Sequence, residues 1–190
     1  MNAISNALYK RKMQKQRNLA DLSMDSAIEW VMSITFLKLH DRYGFVRHRF
    51  QKMLSIWNEV QETTDENLVR GWRREVVDHG FDDRINIEFG KRIQKLITGN
   101  KKDKYLIAHT RDLAAGTVII IMHALINDHG WRKKRIRDLQ EYLKDDSYAL
   151  KNGEITIWEI MKVLQRECDV KSELLEYYER DYGEVIAGNY

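Results

Sequence analysis

The chain has 190 residues, a mass of 22.7 kDa and a net charge of +3 from 32 basic and 29 acidic side chains. That length can bury a sizeable core, as one compact domain or two small halves, and the charge excess is too mild to establish nucleic-acid binding by itself. Proline is absent, glycine numbers ten and Cys168 is the single cysteine, so helix formers dominate, an intramolecular disulfide framework is excluded, and a reducing, cytoplasmic setting is the expectation.

Residues 1–20 read as a basic N-terminal arm, with Leu8, Tyr9, Met13 and Leu19 the sizeable apolar side chains among Lys10 to Arg17. A first helix is expected from Ser23 or Asp25 to about Arg42, with Ile28, Val31, Met32, Phe36 and Leu39 on one side and Gly44 as its stop. The next helix places Phe50, Met53, Leu54, Trp57 and Val60 inward and leaves Arg47, His48 and Lys52 towards solvent. Thr63 and Glu66 have capping-box spacing before a helix with Leu68, Trp72 and Val76. Asp78-His79-Gly80-Phe81 ends it, and Ile85, Phe89, Ile93 and Leu96 form the following stripe.

Residues 99–104 form an internal linker. It suggests a first helical lobe over 21–98 and a second over 105–182, with 183–190 as a tail, although a single bundle would tolerate the same turn. A long helix from about Thr110, read as its cap, to Asp128 supplies the second core. Its apolar run, Ala114 to Met122, is too short to span a bilayer and reads as a central buried helix. Gly130 stops it, and a short basic helix with Ile136, Leu139 and Leu143 inward follows. Asn152-Gly153 is a turn, Thr156 and Glu159 form a second capping box, and Ile157, Ile160, Met161 and Leu164 line the helix beyond. Asp169 is the expected cap of a last helix bearing Val170, Leu174 and Tyr178.

One phrase occurs twice. Tyr43-Gly44-Phe45, followed by Arg47, His48 and Arg49, is echoed eighty-six residues later by His129-Gly130-Trp131, followed by Arg132, Lys133, Lys134 and Arg135. Aligning the glycines pairs Met32 with Val118, Leu39 with Leu125, Arg49 with Arg135 and Phe50 with Ile136. Two accounts fit this match: a duplicated helix-Gly-aromatic-basic helix unit, or the need of any antiparallel helix pair for a glycine stop and an aromatic plug.

Arg132, Lys133, Lys134, Arg135 and Arg137 begin a helix, where unpaired backbone N–H groups and cations together suit phosphate oxygens. A solvated face balanced by Asp138, Glu141, Asp145 and Asp146 is the plainer use of the same residues. Arg47 and Arg49 occupy the equivalent position after Gly44. Arg70, Arg73 and Arg74 form a second cluster, and Lys91, Arg92 and Lys95, with Lys101, Lys102 and Lys104, a third. A common face for all three would make a groove able to follow a duplex backbone. Trp131 and Phe45 have rings that can stack on bases, but each reads better as a plug for its turn.

Catalysis has little support. The histidines, at 40, 48, 79, 109, 123 and 129, lack zinc-helix spacing, Cys168 lies on a packed stripe beside Leu164, and there is no glycine-rich phosphate loop. No cofactor and no metal are expected. The two glycine-aromatic-basic phrases resemble segments of uncharacterised small helical accessory proteins of phages and prophages from Gram-positive bacteria. That resemblance implies a host-cytoplasmic protein regulating nucleic-acid machinery. The expected function is therefore a noncatalytic nucleic-acid-associated regulator. The alternative is a phage-encoded inhibitor or adaptor, anti-defence roles included, that acts on a nucleic-acid-handling host protein. The expected partners are DNA or RNA, or such a protein, with no membrane and with homodimerisation left open.

Overall fold

The computed structural model describes residues 25–63 and 66–187, and among these all regular structure is α-helical. After α1, described over 25–43, come α2 (Arg47–Thr63), α3 (Glu66–Asp78), α4 (Asp83–Thr98), α5 (Lys104–His129), α6 (Lys133–Asn152), α7 (Ile157–Cys168) and α8 (Glu173–Tyr182). The arm at 1–20 and the Thr63–Glu66 capping box fall outside the described residues and side chains.

Two helices form the interior. α5 packs against α2, α3 and α4, and its side chains from Thr117 to Met122 are all buried. It is 26 residues long and, by length and composition, could cross a membrane. Here Val118 to Met122 and Ala124 to Ile126 lie buried within the protein instead. α1 is expected to bury one stripe, yet every residue from Val31 to Leu37 is buried. A helix apolar nearly all round must be surrounded. Thr35, buried on α1, is satisfied locally, its hydroxyl donating to the Val31 carbonyl at 2.7 Å. Apolar side chains from all eight helices join one contiguous core, with Phe36 stacked on Phe50 at 4.5 Å between ring centroids.

α4 and α5 form an antiparallel pair joined by the Gly99 turn. Gly90 permits their close approach, since a Cβ there would lie 3.0 Å from the Arg111 carbonyl oxygen and 3.3 Å from the Ala115 Cβ. Farther along, α6 is pinned to the start of α4 by Gln140. Its amide accepts from the Asp82 N–H at 2.9 Å and donates to the Asp82 carbonyl at 2.6 Å.

Several local expectations change. α5 begins at Lys104, because Asp103 caps it by accepting from the N–H groups of Tyr105 and Leu106. Thr110 is thus an interior, fully buried residue rather than a cap. The basic helix α6 is not short but 20 residues long, since its stripe continues through Ser147 to Leu150. Asp169 does not cap the last helix. It ends α7 in the left-handed conformation, with φ 53°, and Ser172 caps α8 through the Leu175 N–H, leaving Val170 in the connection. Leu68 lies on the exposed side of α3. The Thr156–Glu159 capping box forms as expected.

Candidate nucleic-acid interface

The two repeated phrases fold into the same turn. Gly44 and Gly130 have φ values of 64° and 63°, a left-handed conformation that side-chain-bearing residues adopt at a penalty. Phe45 N–H donates to the Leu39 carbonyl, and Trp131 N–H to the Leu125 carbonyl, each at 3.0 Å. This bond closes a Schellman-type helix end and folds the following aromatic back over the leucine. Phe45 and Trp131 are accordingly 2% and 3% exposed, so they act as plugs and not as open stacking platforms.

The turns also pack on each other, reciprocally. Phe45 meets Trp131 edge to face, with centroids 6.2 Å apart and planes at 89°. Tyr43, before the first glycine, lies on Trp131 after the second at 4.5 Å, and His129, before the second glycine, lies on Phe45 after the first at 5.0 Å. The first basic turn of each following helix continues the correspondence. The Arg49 guanidinium lies 5.0 Å from the Phe45 ring centre and that of Arg135 lies 5.9 Å from Trp131. The contact thus sets the basic starts of α2 and α6 beside one aromatic cluster. His129 lies at this contact, and its pKa is lowered by burial first and then by Lys52, with Asp128 opposing and Arg49 adding a smaller push. The His129 Nε2 is buried with no hydrogen-bond partner among the described residues.

The cations divide sharply by what surrounds them. Arg132 occupies the N-cap of α6 without a side-chain cap bond, and no acidic residue lies in the first turn. Arg132, Lys133 and Lys134 are exposed and form no ion pair with a described residue. By contrast Arg47 is bound to Asp169 at 2.8 Å, Arg73 to Asp83 at 3.0 Å and Lys91 to Glu88 at 2.6 Å. Arg92 donates to Ser147 Oγ at 3.0 Å and Tyr148 Oη at 2.7 Å, while its guanidinium covers the Tyr148 ring at 3.9 Å. Arg137 donates to the Gly80 carbonyl at 3.3 Å. Arg70, Arg74 and Lys95 are exposed.

Two of the three basic clusters adjoin. The Gly80 turn at the end of α3 lies against α6, where a Cβ on Gly80 would meet Arg137 Nε at 3.0 Å and Lys133 Cβ at 3.5 Å. Thus Lys133 and Arg137 border the end of the helix that carries Arg73 and Arg74. The third cluster lies elsewhere. Arg92 meets α6 at Ser147, about 21 Å along the axis from Lys133 at 1.5 Å rise per residue.

No group of three or more His, Cys, Asp or Glu side chains able to hold a metal occurs among the described residues. Cys168 is buried, and its thiol pKa is pushed up to about 11 by desolvation, with Glu167 and Asp41 adding to the effect. A nucleophilic thiolate is disfavoured there. The packing of Tyr43 on Trp131 and of His129 on Phe45 is not legible in sequence, although their matching positions before the two glycines are. Comparison with family models, curated proteins and solved structures finds no match to this chain.

Proposed function

We propose that this is a noncatalytic nucleic-acid-associated regulatory protein that takes phosphate at the first turn of α6. The observation carrying the reading is the exposed set Arg132, Lys133 and Lys134, without carboxylate partners among the described residues at a helix start with no acidic residue. Cations there are repelled by the helix dipole and by one another, whereas a phosphate would be attracted by both the dipole and the side chains. The basic start of α2 and the Gly80 turn of α3 extend the same surface. The reciprocal turn packing supports descent of the α1–α2 and α5–α6 pairs from one duplicated unit, with the second copy specialised for the contact.

Anisotropy titrations with labelled duplex DNA, single-stranded DNA and RNA across a salt series test this reading. Expected is affinity that falls with salt, with a log-log slope of about 0.9 per phosphate contact on duplex DNA. The double substitution Arg132→Glu with Lys133→Glu should weaken binding and flatten that slope. Absence of binding at low salt, or indifference to the double substitution, would refute it.

One observation favours a second reading, an inhibitor or adaptor from a mobile element that docks on an acidic patch of a nucleic-acid-handling protein. Arg47, Arg73, Arg92 and Arg137 are engaged within the fold, which leaves a compact basic patch in place of a long groove. Tight, salt-sensitive binding to a protein of that kind, with none to nucleic acid, would select it.

A further inference from the structure

The interior of α5 contains Gly116, and an interior helix glycine costs about 1 kcal/mol relative to alanine. Gly90, facing α5 from α4, is explained by close packing. Gly116 is not, because a Cβ built on it meets no atom within 4 Å. It opens instead on a cleft of about 790 Å³ with walls from α2, α3, α4 and α5, where Trp57, Ile87, Leu113 and Ile120 supply apolar surface. Small-molecule pockets span about 300–1,000 Å³ and combine apolar walls with a few fixed polar groups.

Asn86 supplies such a group. It is part of the cleft wall, is 3% exposed, and donates from Nδ2 to the Ala115 carbonyl at 3.1 Å. Its Oδ1 is buried with no partner among the described residues. A buried acceptor left unsatisfied costs about 1–3 kcal/mol, so a donor brought to this wall would relieve an existing penalty. The charge of the lining is also mainly positive, with Arg73 and Arg111 beside His109 and opposed by Asp112. Arg73 and Arg111 already hold Asp83 and Asp112 at 3.0 and 2.8 Å, but in exposed pairs, which exchange partners at little energetic penalty.

We propose that this cleft binds a small organic anion with a flat apolar body and an N–H or O–H donor. The body lies over Gly116 and the acidic group faces the arginine side, while a small shift of the Asn86 side chain, 3% exposed in the unliganded chain, lets the donor reach Oδ1. The cavity that opens at a mid-helix glycine and the unpaired buried acceptor in its wall are two observations with one explanation. The site is distinct from the first turn of α6, and the inference does not depend on the nucleic-acid reading.

Anilinonaphthalene sulfonate has this chemistry and serves as the probe in a fluorescence titration of the full chain. The expected result is one saturable site per chain. Gly116→Leu should retain the helical circular dichroism and an equal or higher unfolding midpoint, yet weaken binding about tenfold or more, equivalent to about 1.4 kcal/mol. Ile87→Glu, at a 40% exposed position in the lining, puts a carboxylate at the site without disturbing the core and should weaken binding similarly. It decides the matter if Gly116→Leu does not fold. No saturable binding to the wild type, or undiminished binding to either folded variant, overturns the proposal.

Discussion

The α1–α2 and α5–α6 turns have the same backbone and differ in what faces the first basic residue after each. Both place a left-handed glycine after a leucine-containing helix, fold an aromatic back, and begin the next helix with basic residues. At the first, Arg47 meets Asp169 of the α7–α8 connection, while at the second Arg132, Lys133 and Lys134 meet no described carboxylate. A repeated local pattern therefore sets geometry, whereas the elements folded around it decide which turn has its first cations paired.

The sharpest way to break the equivalence of the turns is to remove their shared contact. Trp131→Ala and Phe45→Ala should each destabilise the fold by about 3–5 kcal/mol, as expected for loss of a buried aromatic. The double variant should lose less than the sum, because the two rings touch. Urea unfolding of the four proteins measures this, and strict additivity would show that the turns are energetically independent.

Gly44→Ala and Gly130→Ala test the backbone alone, since a Cβ at either position meets nothing within 4 Å. Each should cost about 1–2 kcal/mol, the penalty for placing an L-residue in the left-handed region. Unequal unfolding midpoints would mean that the two turns carry different strain despite their matching angles.

Charge reversal then tests the difference in fate. Lys133→Glu should weaken nucleic-acid binding by about tenfold at low salt, or about 1.4 kcal/mol, and Arg47→Glu distinctly less. Equal effects in the anisotropy titration would place the contact on both turns.

The smallest effect is one of pH. The His129 pKa is lowered in the fold, so below the ordinary histidine value the unfolded chain binds more protons than the native one. Stability should fall as pH drops through 6.5 towards the folded pKa, and His129→Gln should remove that part of the dependence. Thermal midpoints at pH 7.5 and 5.5 measure it, and parallel pH profiles for the two proteins would contradict the assignment.

Much of the fold is visible in local sequence. The all-helical class, the glycine stops, the inner stripe of Ile136, Leu139 and Leu143, and the Thr156–Glu159 box depend on neighbours within a few residues. The start of α5 is ambiguous in sequence because Thr110 has a capping side chain, although Asp103 stands before Tyr105 and Leu106 and satisfies their N–H groups. Asn86 did carry a signal. It falls three and seven residues before Phe89 and Ile93 on the buried stripe of α4, a place where an amide needs a reason.

The sequence alone determined helices and turns, because hydrophobic period, capping and left-handed glycine act over one or two turns of chain. Only the tertiary structure decided that the repeated turns pack reciprocally, that Arg47 is tied to Asp169 while α6 begins unopposed, and that a cleft remains beside Gly116. Ion pairing and cavity formation depend on separations of a few ångströms between segments far apart in the chain, and helical periodicity does not encode those distances.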